Sequence, residues 1–171
     1  MKIGINVKLG IAGGIINCAV WYFVAKSLGF YSLDIYSYKF YTTLLLLFFG
    51  IFTSIYFERK SSQGFIDFKQ ALKTGILYGL ILSLTLFVFT FLYHKYIVPD
   101  AVEFFASEER KAWLAHDRTL EDVNKYLVEY YIPTFGAFHT LMTSVVWGIL
   151  ISLLASAIFR RKNPTPPFSE N

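Results

Sequence analysis

Four long apolar stretches dominate the chain and alternate with shorter polar segments. They cover residues 9–28, 41–57, 75–97 and 134–159. About 20 helical residues, each rising ~1.5 Å, are needed to cross a hydrocarbon core about 30 Å thick. Each stretch is therefore predicted to be a membrane-spanning helix.

The largest polar segment is an insert, 99–132, between the third and fourth stretches; a basic tail, 160–171, ends the chain. Asp100 with Glu103 predicts the start of one short helix in the insert, and Thr119 marks the start of a second. The apolar positions of both helices fall on one face, which predicts a lid on the bundle or on the lipid interface. The candidate lid residues are Phe105, Trp113, Leu120, Val123, Leu127 and Tyr130.

The expected fold is all-α: a single-domain, integral membrane four-helix bundle with a short helical insert outside the membrane between helices 3 and 4. The first and third spans begin alike, because Gly10 and Gly14 align with Gly75 and Gly79 after a preceding lysine. This similarity suggests two tandem hairpins related by an axis along the membrane normal. Chance similarity is the alternative, because membrane spans draw on few residue types.

Small residues recur every fourth position along two of the spans, which places them on one helix face. In lipid, helices associate through close backbone approach and hydroxyl hydrogen bonds, both of which small residues allow. The sequence therefore predicts tight packing within the bundle or, alternatively, a stripe that docks a partner or a second copy. The stripe residues are Gly136, Thr140, Ser144, Gly148, Ser152 and Ser156 in the fourth span, and Gly75, Gly79 and Ser83 in the third.

Composition agrees with a membrane protein and argues against nucleic-acid binding. Hydrophobic residues make up 55% of the 171 residues and charged residues 16%, against roughly 25% charged in a soluble domain. The net charge of +4 is carried by residues at the span ends rather than on a soluble face. Lipid headgroups are therefore the expected counterions.

The distribution of lysine and arginine predicts the orientation in the membrane, because cytoplasmic loops carry more of them. The denser basic set consists of Lys2, Lys8, Arg59, Lys60, Lys69, Lys73, Arg160, Arg161 and Lys162. The other side has Lys26, Lys39, Lys95 and four basic residues scattered through the insert. Most of the tyrosines lie near this boundary and form an interfacial belt. We expect a multi-pass protein of the bacterial inner membrane with both termini cytoplasmic and the insert 99–132 periplasmic.

Two histidines are the candidates for chemistry inside the spans. His94 precedes Pro99 by five residues and His139 follows Pro133 by six, so both are predicted about 8–9 Å below the outer boundary at ~1.5 Å per residue. Ionisable residues within a membrane are functional candidates. Structural, hydrogen-bonded histidines are the alternative, and a metal site would need about two further ligands.

Recognisable catalytic signatures are absent from the sequence: it contains no HExxH, no Gly-x-Ser-x-Gly, no phosphate loop and no CxxC. We therefore expect no catalytic residues, no cofactor and no metal, and a protein that is not an enzyme.

Three segments, 64–75, 93–100 and 148–162, resemble the bacterial membrane family called domain of unknown function 4199. The resemblance implies a four-helix inner-membrane protein with a polar loop after the third helix, and it brings no established activity or catalytic residue. Members of the family are often encoded near glycosyltransferases acting on lipid-linked sugars, which implies a connection with envelope lipids or glycans.

Three functions are compatible with these features. The first is a non-enzymatic accessory or scaffold subunit of an inner-membrane complex, linked to envelope lipid or glycan assembly, with a membrane-protein partner or a second copy. The alternative is a small transporter or channel acting as a homo-oligomer, with a polar path along Ser144, Ser152, Ser156 and His139. The third is an outer-leaflet enzyme that uses His94, His139 and carboxylates of the insert.

Overall fold

A computed structural model describes residues 4–30, 34–114, 119, 121 and 133–161 of the chain. In this part the chain forms four long helices and one short helix. They are α1 (Ile5–Leu28), α2 (Asp34–Ser61), α3 (Phe68–Leu92), α4 (Ala101–Leu114) and α5 (Pro133–Phe159), and α3 continues into a π-helical turn at Tyr93–Ile97.

The four long helices are each long and apolar enough to cross a membrane. The segments that qualify are Ile5–Leu28, Ser37–Ser61, Phe68–Ile97 and Gly136–Phe159. The predicted all-α fold with four membrane-suited helices is confirmed. The second helix begins well before the predicted span 41–57, and this difference brings Lys39 inside the membrane-suited segment.

The short helix α4 occupies the first part of the predicted insert. Trp113 is half-buried there. Phe105 also lies in α4, but its side chain is outside the described set, as are Leu120, Val123, Leu127 and Tyr130. The lid therefore stays a prediction.

The two central helices of the bundle are α2 and α3. Each packs against both α1 and α5, and they also pack against each other, whereas α1 and α5 share few contacts among the residues described. The pairs α1–α2 and α3–α5 are both in contact, as two hairpins would require, but the internal repeat itself stays a prediction. Between the central helices lies a core of fully buried aliphatic side chains: Leu47, Ile51, Ile55, Leu82 and Leu86.

Tyr78 of α3 fills the junction of α1, α2 and α3. Its hydroxyl donates a hydrogen bond of 3.1 Å to the carbonyl of Leu46. The ring fits because glycines of the neighbouring helices face it: a Cβ on Gly13 would lie 2.5 Å from the hydroxyl oxygen, and one on Gly50 would overlap the ring. A buried tyrosine of this kind stabilises the bundle by its area and needs a hydrogen-bond partner for its hydroxyl.

At one end of the bundle, the α2–α3 connection is tied to the end of α5. The backbone N–H of Arg161 donates to the carbonyl of Ile66 at 2.8 Å, and the N–H of Ile66 donates to the carbonyl of Arg161 at 3.2 Å. The side chain of Asp67 then caps α3 by accepting from the N–H of Gln70 at 2.7 Å. We call this the loop-66 end of the bundle.

The two rows of small residues meet between α3 and α5. A Cβ on Gly79 would lie 3.5 Å from the Cα of Gly148, and one on Gly75 would lie 2.6 Å from the Oγ of Ser152. Ser83, Ser144 and Ser156 are buried as well, whereas no described atom lies within 4 Å of a Cβ built on Gly136. Most of the stripe thus faces another helix of the same chain.

Two glycines of α3 form a matched pair for testing this close approach. Both are buried, and they lie one turn apart on the same helix. In the Gly75→Ala variant the new methyl group would also lie 2.9 Å from the Cβ of Ser152, which no side-chain rotation can move away. In the Gly79→Ala variant the nearest atom is at ordinary van der Waals distance. Both variants gain the same helix propensity. The difference between their free energies of unfolding therefore isolates the cost of overpacking, which is typically about 1–3 kcal/mol.

We expect Gly75→Ala to be less stable than Gly79→Ala by that amount when the free energy of unfolding is measured in detergent. Equal stabilities would show that α3 and α5 do not approach as closely as described.

Candidate functional site

Polar side chains converge at the opposite end of the bundle, where α1 and α3 end and α2 and α5 begin. Lys39 is the charged residue of this cluster. It lies five residues after the start of α2, which is about 8 Å along the axis at ~1.5 Å per residue. Although it is close to the end of the span, its side chain is only 8% exposed.

The ammonium group of Lys39 contacts one residue from each of the other three long helices. It donates to the Oγ1 of Thr140 in α5 at 2.8 Å and to the Oγ1 of Thr90 in α3 at 3.3 Å. It also lies 4.1 Å from the ring centroid of Trp21 in α1, which is a cation–π contact. One side chain thus joins all four spans.

The hydroxyl of Thr140 is oriented to accept from Lys39, because its own proton is used elsewhere. Its Oγ1 donates to the carbonyl of Gly136 at 2.9 Å, one helical turn earlier. The lone pairs therefore point away from that carbonyl and are available to the ammonium group.

A second polar group, one turn further into the membrane, joins α1 to α2. Asn17 is fully buried, and its Nδ2 donates to the Oγ1 of Thr43 at 2.8 Å. The hydroxyl of Thr43 in turn donates a hydrogen bond of 2.7 Å to the carbonyl of Lys39. Thr42 is 3.3 Å from the Oδ1 of Asn17, but its hydroxyl has a shorter bond of 2.8 Å to the carbonyl of Tyr38. The bond between Asn17 and Thr43 is therefore the main polar link between α1 and α2.

Lys39 has no carboxylate within 4.0 Å among the described residues. The ion pair recorded in that part of the chain joins Lys111 and Glu108 on α4, outside the spans. A buried ammonium without an opposite charge is costly, because hydroxyl dipoles and an indole face replace only part of its hydration. Among the described residues, the groups that stabilise Lys39 are neutral.

A cavity of about 150 Å³ adjoins Lys39 and opens between α2 and α5. Lys39, Thr43 and Thr140 are among the residues that line it, and the lining is mainly apolar. Phe40 and Trp147 form an edge-to-face pair with ring centroids 6.2 Å apart and are both partly exposed. The cavity is much larger than the ~10–15 Å³ that holds one water.

The two predicted histidines occupy different parts of this end. His94 lies in the π-helical turn, is buried, and has its ring 6.3 Å from that of Trp21 between centroids. His139 lies on α5 at the wall of the cavity and is exposed. No hydrogen bond or ring contact joins the two imidazoles, both of which are described. An outer-leaflet enzyme that uses both histidines stays a prediction.

His94 is held in an unusual backbone. The N–H of Val98 bonds to the carbonyl of Tyr93 at 3.0 Å, a spacing of five residues that defines the π turn. Such turns are often found at functional sites. The buried Nδ1 of His94 has no hydrogen-bond partner in the described part of the chain. His94 and Lys39 share Trp21 as a neighbour, so His94 belongs to the same cluster.

Lys39, Asn17 and Thr90 were not singled out by the sequence as site residues. The sequence places Lys39 at the membrane boundary, because the apolar stretch begins at Tyr41 and tyrosines lie on both sides of Lys39. The signal that could have found it is the spacing of Lys39 and Thr43, which puts both on one face of a helix that starts earlier. A lysine and a threonine on one buried face predict a polar contact with another helix.

Chemically, the arrangement can contribute charge, hydrogen bonds and an aromatic surface to the binding of a ligand. It presents a cation, threonine hydroxyls and an aromatic face beside a mainly apolar cavity. Within residues 4–30, 34–114, 119, 121 and 133–161, no group of three or more His, Cys, Asp or Glu side chains could hold a metal ion.

Comparison with known proteins identifies a family. The family described as "Protein of unknown function (DUF4199)" matches residues 8–161, nearly the whole chain, and this confirms the resemblance noted in the sequence. No curated protein and no solved structure matches the chain.

A double-mutant cycle between Asn17→Leu and Thr43→Val tests the link between α1 and α2. Hydrogen bonds between membrane helices contribute about 0.6 kcal/mol on average and up to ~1.7 kcal/mol. We expect a coupling free energy in that range, measured from unfolding in detergent.

The control cycle pairs Asn17→Leu with Thr53→Val, since Thr53 is an exposed threonine of the same helix. Its coupling should be close to zero. Equal coupling in both cycles would contradict the described bond.

Proposed function

The chain belongs to the DUF4199 family, and we propose that it is a non-enzymatic accessory or scaffold subunit of an inner-membrane complex, linked to envelope lipid or glycan assembly. The four membrane-suited helices make it an integral, multi-pass membrane protein in a lipid bilayer. The role within a complex is the proposed part.

The observation that carries the proposal is the chemistry of the Lys39 cluster. General acid–base and nucleophilic catalysis need a nucleophile or titrating group held by a partner that activates it. In the cluster, the threonine hydroxyls of Thr43 and Thr140 already donate to backbone carbonyls, and Lys39 donates to hydroxyls. This hydrogen bonding holds helices in place and is suited to binding.

The lipid-facing side of α2 supports a partner contact on that helix. Gly75 and Gly79 of α3 face Ser152 and Gly148 of α5, so a partner would bind elsewhere on the bundle. Among the four spans, α2 is the least buried although it packs against all of the others. Its exposed residues form an aromatic-rich face that includes Tyr41, Leu45, Phe49 and Tyr56.

A small transporter acting as a homo-oligomer is the alternative, and the cavity beside Lys39 is the feature that favours it. The polar path expected along α5 has less support. Ser144, Ser152 and Ser156 each donate to a carbonyl one turn earlier on α5, so their protons are not offered to a passing solute.

Photo-crosslinking in cells tests the accessory role. A photoreactive phenylalanine analogue replaces Phe49 on α2, which is 63% exposed, and matched controls replace Ile15 on α1, 58% exposed, or Leu154 on α5, 54% exposed. We expect a discrete adduct with one membrane protein from Phe49 and not from the controls.

A protein purified as a lone monomer, with no adduct from any of the three positions, would contradict the accessory role. The same adducts from all three positions would indicate random collision in the bilayer and would also contradict it.

The charge at the two ends of the bundle supports a cytoplasmic loop-66 end. That end carries Lys8, Arg59, Lys60, Lys69, Lys73, Arg160 and Arg161 close to the spans. The other end has Lys26 and Lys95, the buried Lys39, and Arg110 and Lys111 on α4. Because positive residues are retained on the cytoplasmic side, we propose that α1 enters from the cytoplasm and that the Lys39 cluster lies towards the periplasmic leaflet.

Single-cysteine labelling tests the orientation. In a Cys18→Ala background, which removes the buried native thiol, Ser27→Cys and Ser61→Cys place exposed thiols at opposite ends. A membrane-impermeant maleimide should label position 27 in intact spheroplasts and position 61 only after the membrane is permeabilised. The reverse order of labelling would overturn the orientation.

A further inference from the structure

Lys39 is a buried cation that the described part of the chain leaves without an opposite charge. An ammonium group has three N–H donors, and two of them bond to the hydroxyls of Thr140 and Thr90. The third has no oxygen acceptor among the described residues, where the ring centroid of Trp21 lies 4.1 Å from the Nζ, and an oxygen of a bound anion would accept it. An anion at this position would convert a costly isolated charge into a hydrogen-bonded pair.

The neighbouring cavity shows where such an anion would lie. Lys39 forms part of its wall, with the hydroxyl-bearing residues Thr43 and Thr140 beside it. The remaining wall, including Leu44, Leu47 and Trp147, is mainly apolar. The cavity thus offers one charged region and one apolar region within the same space.

The position of the cavity in the bundle distinguishes an amphiphile from a free ion. All of its lining residues belong to the membrane-suited parts of α2 and α5. Phe40 and Trp147 are partly exposed at its edge, on the side where a helix meets lipid. Lys39 is about 8 Å from the start of its helix at ~1.5 Å per residue, close to the depth at which lipid headgroups join their chains.

We propose that Lys39 binds the phosphate of an anionic phospholipid from the leaflet at this end of the bundle, with an acyl chain lying in the cavity between α2 and α5. The phosphate oxygen accepts the third N–H of Lys39. The apolar wall takes the place of neighbouring lipid chains around the bound acyl chain. The edge-to-face pair of Phe40 and Trp147 borders that acyl chain. This site stands whether or not the protein has the accessory role proposed above.

Thermal unfolding of the purified full-length chain in a neutral detergent tests the site. A ligand that binds only the folded state raises the melting temperature, and the rise grows with the ligand concentration relative to its Kd. We expect added phosphatidylglycerol to raise it, and phosphatidylcholine of the same chain length and inorganic phosphate alone to leave it nearly unchanged.

The decisive variant is Lys39→Met, which keeps much of the side-chain volume and removes the charge. Loss of one partner of a buried charge pair lowers affinity by about tenfold or more, so the variant should lose most of the phosphatidylglycerol-dependent rise. It should still fold, because it removes a buried charge whose desolvation is costly, and Thr140 keeps its own hydrogen bond to the carbonyl of Gly136. Native mass spectrometry should show the matching loss of bound lipid.

The matched control is Lys95→Met. Lys95 lies at the same end of the bundle, is exposed, and rests over the rings of Phe91 and Tyr96 at 5.4 Å and 5.2 Å. This variant should keep the full rise. A second variant, Thr143→Leu, fills the cavity from α5 without changing Lys39 and should weaken the lipid effect.

Several results would overturn the proposal. An equal rise with phosphatidylcholine would show that charge is not recognised, and an equal rise with inorganic phosphate would show a site for a free ion. A full response in Lys39→Met, or an equal loss in Lys95→Met, would show that the lipid binds elsewhere on the surface.

Discussion

The ammonium group of Lys39 is the constraint on which one whole end of the bundle depends. It is buried within the membrane-suited part of α2, so the protein must replace much of its hydration shell. It does so from three helices at once, through Trp21, Thr90 and Thr140. A rotation of any of these helices would withdraw a contact and leave a charge in an apolar medium. The rotational positions of α1, α3 and α5 around α2 are therefore set together.

The opposite end and the middle are held by different means, each suited to its depth. In the middle, where helices gain nothing from hydrophobic exclusion, glycines of α3 and α5 bring backbones into van der Waals contact. At the loop-66 end, two backbone hydrogen bonds join Ile66 and Arg161. The bundle thus has a charged, a close-packed and a backbone-bonded layer, and the cavity beside Lys39 lies in the first of these.

The spans and the all-α fold could be predicted from the sequence because apolar length is a local property that survives any packing arrangement. The start of α2 could not, since tyrosines occur on both sides of a membrane boundary and the helix continues through them from Asp34 to Tyr41. The contacts of Lys39 depend on helix rotation and on pairs of residues as far apart as Lys39 and Thr140, which periodicity does not encode. The depths of His94 and His139 were similarly inferred from straight helices, whereas a π turn carries His94 into the buried cluster beside Trp21.

The location of Lys39 also separates two stages in the biogenesis of the protein. A lysine near a span end can extend its stem to the headgroups, so α2 enters the bilayer at little cost while its ammonium is still hydrated. The hydration shell is removed only when the other helices close around it. It follows that desolvation of the cation belongs to helix association, not to insertion, and that an incomplete bundle keeps a lysine facing the lipid surface.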